Sequence, residues 1–540
     1  MPHTPGTVVG GSRAPKERAW NAPASDALLV AAVAFGSALR ITQYASNRSL
    51  WRDESAVALN IIGRSFGGLL KPLAFNQAAP PAFLLVEKLS DVLFGSSEYA
   101  LRLFPLLCGL AALPLFALLS RRILGPWAAA FATLLFACAD SLTYYSAEVK
   151  QYSTDVAATL VLLLLGVHLW EQRARSWRTA AVFAAVGFIT VFFSFAAVFP
   201  AVAIIVVLAY RELVRGPRRL APVLAVVGVW GLGSLLVVFV SRDLTRGVLS
   251  AFHSGSTAYV GHTSSTLLPS LRVPPSSLSE DISGLPPVPS ALYWFTVVVA
   301  LVGLVAVARR RPAYAGFFVG AGVVMLIASL VHRYPIANRT ILFLVPIASL
   351  LLAEGVHAIA TVVRRPSARG ALAAVLAFAV LAVPAWRSLH GLVHPQKHEE
   401  IKAALAIVRQ DWRPTDTLYV SNPSQDAMRY YLECGCFETP RWPFRRSDVN
   451  TAKGDLALLS RPPNFVVGRL AHHGLGTYVS DIRKLEGRPR VWLLYSHATT
   501  ANELTYVRRV LPRQVSKFGR LLRAFTAPGV TLYLYDLRAR

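Results

Sequence analysis

Apolar windows of about seventeen to twenty residues recur along most of the chain, each long enough to cross a hydrocarbon core of about 30 Å as a helix. They lie near Asp26–Tyr44, Tyr99–Ser120, Pro126–Thr143, Thr154–Trp170, Thr179–Phe193, Ala197–Tyr210, Ala221–Val240, Ala291–Ala308, Ala313–Val331, Thr340–Ala360 and Ala371–Trp386. This pattern predicts a polytopic α-helical membrane protein with about eleven transmembrane helices. A transmembrane β-barrel would show short alternating strands instead, and the chain does not read that way. With 54% hydrophobic and 16% charged residues, the composition is too apolar for an ordinary soluble protein. Arg13, Lys16 and Arg18 precede the first window. No clear small-residue cleavage site follows, so that window reads as a retained span.

Arginines between the windows set an expected orientation, because short cytoplasmic loops carry the excess of Lys and Arg. With residues 1–25 as a basic cytoplasmic tail, the inside loops hold Arg121 and Arg122, then Arg173, Arg175 and Arg178, then Arg211, Arg215, Arg218 and Arg219. Arg309 to Arg311 follow, and last come Arg364, Arg365 and Arg369. The membrane domain is then expected over residues 26–387, with outside loops at 45–98 and 241–290. Residues 388–540 form a small extracytoplasmic α/β domain in this reading. Its strand-like runs are Thr417–Val420, Val491–Tyr495 and Thr531–Tyr535, and its helical stretches are Glu399–Gln410 and Thr500–Leu511. Within the first loop, Pro80–Phe94 is apolar but broken by Glu87, Lys88 and Asp91, which suits a helix lying in the membrane interface.

A formal net charge of +26 raises the question of nucleic acid. The basic residues punctuate the spans, and no nucleic-acid-binding motif accompanies them. Neither a P-loop nor a nucleotide-binding glycine fingerprint is present, which argues against a transport ATPase. Of four cysteines, Cys108 and Cys138 fall in apolar windows and read as core. A disulfide between Cys434 and Cys436 would be strained, so that pair reads as local structure.

Three polar clusters fall in outside segments. Asp53-Glu54 follows the first span and precedes an apolar helical run; two adjacent carboxylates at a membrane surface are expensive without a purpose. Either could cap the following helix, or serve as general base toward an acceptor hydroxyl. Glu148, Lys150, Tyr152 and Asp155 crowd the next outside turn. There Glu148 and Lys150 could pair with each other or be solvated, or the ammonium group could hold a phosphate. Arg339 opens a late span, either as an interfacial anchor or as a fork for phosphate oxygens.

The first 210 or so residues well, and the remaining spans loosely, resemble the GT-C glycosyltransferases, in particular the branch of protein O-mannosyltransferases and aminoarabinose transferases (bacterial glycosyltransferase family 39-like). The resemblance rests on Asp53-Glu54, Pro80-Pro81, the run from Phe94 to Leu103 (FGSSEYALRL), Arg121 to Gly125 (RRILG), the Ala147 to Tyr152 turn, and Tyr334-Pro335 with Arg339. It implies inverting transfer of a sugar from a polyprenyl-phosphate donor to an extracytoplasmic glycan, lipid or protein acceptor, in a bacterial plasma membrane. Asp53 would be the catalytic base, with Glu54 orienting it or the acceptor. Lys150 and Arg339 would stabilise the leaving phosphate, and Glu148, Tyr152 and Asp155 would line the site. Some members of the superfamily use a divalent cation at their acidic loops, so magnesium or manganese is a candidate ligand of Asp53 and Glu54. The alternatives are a lipid or glycan flippase and a non-catalytic envelope assembly protein. Acids placed in loops rather than within spans favour surface chemistry over translocation.

Overall fold

The computed structural model describes residues 22–171, 177–215, 221–253, 290–336, 339–434, 465–468, 475–498 and 501–538. Ten helices make up its first half: α1 (Ala22–Ala45), α2 (Arg52–Gly63), α3 (Pro81–Phe94), α4 (Glu98–Ile123), α5 (Pro126–Ala137), α6 (Asp140–Tyr145), α7 (Tyr152–Glu171), α8 (Trp177–Phe193), α9 (Val198–Arg215) and α10 (Ala221–His253). Four more complete the membrane part: α11 (Ser290–Arg310), α12 (Pro312–Leu330), α13 (Val345–Ala360) and α14 (Pro366–Val393). Eight helices among the described residues are long and apolar enough to cross a bilayer, and the chain is a multi-pass membrane protein. Two shorter apolar helices, α5 and α8, together with α9, occupy the other three positions where spans were expected.

The sequence explains where several helices begin and how closely they pack. Ser97 caps α4, its hydroxyl accepting the Ala100 N–H, with Glu98 in the first turn and Arg121 and Arg122 in the last, where each sign suits the helix dipole. Glycines set the tightest crossings. A Cβ on Gly303 would lie 1.9 Å from the Leu351 carbonyl oxygen, and one on Gly355 2.0 Å from that of Val299, so α11 and α13 approach backbone to backbone through small residues.

Two expectations are corrected. The third window does not run unbroken from Pro126 to Thr143: α5 stops at Ala137 and the chain restarts as the short α6 at Asp140. The segment expected as loop from Ser241 onward begins as helix, since α10 continues to His253; its remaining part, 254–289, lies outside the described residues. The Pro80–Phe94 segment does form a helix, α3, whose Leu89, Val92, Leu93 and Phe94 are exposed while Phe83, Leu84 and Glu87 are buried against the protein.

The C-terminal part is a mixed five-stranded sheet in the order β2-β1-β3-β5-β4, with helices beside it. Its strands are β1 (Thr417–Val420), β2 (Phe465–Val467), β3 (Val491–Ser496), β4 (Arg520–Ala527) and β5 (Val530–Asp536). β1 pairs in parallel with β2 and β3, whereas β5 runs antiparallel to both β3 and β4. The three strand-like runs of the sequence are β1, β3 and β5; β2 and β4 were not anticipated. Helix α15 (Ile401–Asp411) and helix α16 (Gln425–Glu433) lie between the membrane part and the sheet. Cys434 is disulfide-bonded, and Cys436, the other half of the pair considered in the sequence, lies outside the described residues.

This domain is not an appendage. One continuous apolar cluster joins Leu50, Val57, Ile61, Phe83 and Val149 of the membrane part to Ile401, Leu405, Leu418, Trp492 and Leu532 of the sheet domain. Polar contacts reinforce the seam. The Leu50 N–H donates to the Tyr431 hydroxyl (2.8 Å), which donates to Glu98 (3.0 Å), and Lys402 pairs with Glu98 at 2.8 Å.

Candidate active site

The three polar clusters of the sequence meet above the membrane helices. Trp51 stands at the N-cap of α2, which places Asp53 and Glu54 in the first helical turn. Neither carboxylate caps the helix, because both side chains are committed to arginines.

Glu54 is completely buried and saturated. It accepts from Arg48 Nη1 (2.8 Å), Arg102 Nε (2.9 Å) and Nη2 (2.7 Å), and the Val149 N–H (3.0 Å). Burial pushes its carboxyl up, but Arg102 and Arg48 outweigh this and hold it charged, below the ordinary range. Arg102 also donates to the carbonyls of Arg48 (2.7 Å) and Ser49 (3.2 Å), while Arg48 reaches the Ala147 carbonyl (2.9 Å). Glu54 therefore ties the Asp53 segment, the start of α4 and the 146–151 turn into one unit.

Asp53 faces the other way. Its carboxylate is ion-paired with Arg339, and both side chains stay about a quarter exposed, at 23% and 27%. Desolvation raises the Asp53 carboxyl, yet Arg339 and then Lys150 override it and keep it well below the usual carboxylate range. The Arg339 guanidinium lies 5.2 Å from the Trp51 ring centroid and 5.8 Å from that of Tyr152, within the reach of a cation–π contact. Arg339 thus reaches into the site rather than anchoring at the surface.

Residues Tyr144 to Lys150 are all buried, so the turn is neither solvated nor held by a Glu148–Lys150 pair. Lys150 donates to Gln77 Oε1 (2.6 Å), and Glu148 accepts the Trp51 indole N–H (2.9 Å) while its other oxygen has no hydrogen-bond partner. Burial, with Glu54 nearby, pushes the Glu148 carboxyl up to about 7. Tyr152 packs edge-on against Tyr145 at 5.0 Å. Asp155 lies at the edge of the cluster, bonded to Ser194, with one oxygen buried and unpartnered.

Several participants were not singled out beforehand: Arg48, Arg102, Trp51, Gln77, and from the C-terminal domain His398, Glu399 and His497. Arg102 carried a usable signal, as an arginine inside a predicted span. The His and Glu of the C-terminal domain carried none, since they meet the site only through the fold. For a divalent cation the fit is poor: Asp53 and Glu54 are each taken by guanidinium groups, and among the described residues no three His, Cys, Asp or Glu side chains converge as ligands.

Residues 78–233 match the family model for dolichyl-phosphate-mannose-protein mannosyltransferase. No curated protein matches the sequence. Among solved structures, the Archaeoglobus fulgidus oligosaccharyltransferase in complex with Zn and sulfate matches with a TM-score of 0.53 at 12% identity, over 95% of this chain and 73% of that one. The archaeal oligosaccharyltransferase AglB from the same organism, in complex with an inhibitory peptide and a dolichol-phosphate, matches with a TM-score of 0.51 at 11% identity, over 95% and 74%. ArnT from Cupriavidus metallidurans in the apo state covers 98% of its own length and 95% of this chain, with a TM-score of 0.48 at 15% identity. The chain shares the fold of these archaeal oligosaccharyltransferases.

Proposed function

We propose that this chain, which has the GT-C fold, transfers a sugar from a polyprenyl-phosphate donor to a hydroxyl acceptor with inversion, using Asp53 as general base. The observation that carries this reading is the partly exposed Asp53–Arg339 ion pair, with Lys150 close enough to act on the same carboxylate. The family match over residues 78–233 and the GT-C fold, one example of which was solved with a dolichol-phosphate, support the choice of donor. Arginines between the spans favour the site lying outside the cytoplasm, with the N-terminus inside, and the resemblance to bacterial family members favours a bacterial plasma membrane.

In the reaction, the acceptor oxygen attacks the anomeric carbon on the face opposite the lipid phosphate. The new C–O bond forms as the bond from carbon to the phosphate oxygen breaks, and the hydroxyl proton passes to Asp53. The leaving lipid phosphate gains a second negative charge, which Arg339, as a bidentate fork, and Lys150, as a point charge, stabilise. Inversion needs base and phosphate on opposite faces of the sugar. The Asp53–Arg339 contact must therefore open when the donor enters, and as Arg339 turns to the phosphate, Asp53 loses its counter-charge and becomes a better base. Glu54 takes no proton in this scheme; it positions Asp53. Trp51, Glu148 and Tyr152 form the wall beside the sugar, and no step involves a metal.

The test is transfer from radiolabelled polyprenyl-phosphate sugars by membranes carrying the wild type or Asp53→Asn at equal expression. Transfer by the wild type and its loss in the mutant is the expected result. Equal transfer by both would move the base elsewhere.

A further inference from the structure

One wall of the Asp53 site is not made by the membrane helices. Glu399, just before α15, and His497, just after β3, are far apart in the C-terminal sequence. They meet through His497 Nδ1 and Glu399 Oε1 at 2.7 Å. The Glu399 side chain is 1% exposed, and its second oxygen accepts the backbone N–H of Arg52 (3.2 Å), the residue before Asp53. A carboxylate can only accept hydrogen bonds, so the ring nitrogen facing it carries the proton, which leaves Nε2 as the free ring nitrogen, an acceptor in that tautomer of the imidazole.

The His497 ring lies on the same indole as Arg339. The His497 ring stacks on Trp51 at a centroid distance of 6.0 Å, next to His398 at 4.8 Å on the same indole, and Arg339 lies over that indole too. The His497 side chain remains 19% exposed. Its backbone is left-handed (φ +57°), a costly conformation for a residue with a Cβ, of the kind found where a side chain must be aimed. Nε2 has no hydrogen-bond partner among the described residues.

We propose that His497, oriented by Glu399, binds the acceptor: Nε2 accepts a hydrogen bond from one hydroxyl group of a carbohydrate acceptor while Asp53 faces the hydroxyl that attacks. This rests on the reading of the site as a sugar transferase and adds the class of its acceptor. Two separate hydrogen-bond acceptors suit a molecule with two neighbouring hydroxyls, which a sugar offers and a single Ser or Thr side chain does not. The acceptor is then a glycan held between the membrane domain and the C-terminal domain, which explains why the latter is welded to the Asp53 segment.

The experiment uses membranes containing their own acceptors, a panel of radiolabelled undecaprenyl-phosphate sugars, and the full-length wild type, His497→Ala and His497→Asn. An Asn amide can occupy the place of Nδ1–H and keep the Glu399 contact, but has nothing at Nε2. Two products are followed, label joined to an acceptor and free sugar released by transfer to water. Expected is a loss of about tenfold or more in acceptor labelling for both variants, the scale of one hydrogen bond to a well-placed group, with release to water within about twofold of wild type. The labelled product should resist mild alkaline β-elimination, which cleaves sugars from Ser and Thr. Wild-type labelling by His497→Asn would reduce the dyad to a docking contact and overturn the proposal, as would equal loss of both products or a product released by alkali. A wild type that neither transfers nor releases any sugar of the panel takes down the transferase reading itself, an outcome that the variants alone cannot produce.

Discussion

Replacing Arg102 with Met tests whether Glu54 is a structural keystone. The substitution removes four hydrogen bonds, two to Glu54 and one each to the carbonyls of Arg48 and Ser49, and leaves a carboxylate with no exposure facing Arg48 and one backbone N–H. Breaking a buried pair from one side costs about 3–5 kcal/mol, and the remaining Arg48 argues for the lower end, about 3 kcal/mol. The folded-state carboxyl of Glu54 is depressed, so its contribution is present above the unfolded pKa of about 4.3 and is lost as pH falls through the lower folded value. The assay is a double-mutant cycle of Arg102→Met and Glu54→Gln, read by reversible unfolding in mixed micelles at pH 7 and repeated at lower pH. Each single change should be severe and the double change much less than their sum. A coupling of less than about 1 kcal/mol, the size expected of exposed pairs, would refute the argument that Glu54 is held by buried charge.

Two other outcomes follow from the same geometry. Glu148, with its carboxyl pushed up to about 7 by burial, binds an extra proton in the folded state, so stability should fall as pH rises from about 4.5 to 7. Glu148→Gln should flatten that slope while leaving stability near pH 4 unchanged, as thermal unfolding across the window would show; an unchanged slope would place the proton elsewhere. Gly303→Ala should separate α11 from α13, because its Cβ would sit 1.9 Å from the Leu351 carbonyl oxygen, at a cost of about 1–3 kcal/mol or more. Serine at Gly322, where an added Cβ meets nothing, is the control in the same unfolding assay.

Hydropathy was sufficient to find the membrane helices because a bilayer demands length and apolarity and little else. It failed at the end of α5, where Cys138 and Ala139 stay apolar enough to hide a break that the backbone makes before Asp140. Asp53, Lys150 and Arg339 were legible for the complementary reason: ionisable residues beside apolar windows are costly, and three such places in equivalent loops suggested one site. Their partners were not legible. Glu399 lies 98 positions from His497, and Asp53 lies 286 from Arg339, so neither pairing leaves a mark on local pattern.

The division of labour between Asp53 and Glu54 shows what composition could not supply. The two acids are adjacent in the first turn of one helix, share its dipole, and differ by one methylene. Successive residues of a helix project about 100° apart, so one faces inward and the other into the cleft. Glu54 meets arginines that are themselves pinned by backbone carbonyls and cannot leave, which fixes it as a charged strut. Asp53 meets an arginine that stays partly exposed, and a phosphate can compete for that guanidinium. In the proposed mechanism its reactivity comes from the replaceability of its partner rather than from its own kind. In that mechanism a base whose counter-charge is also the donor's binding group is awakened by donor and not by acceptor alone, so water that arrives without donor meets Asp53 still paired.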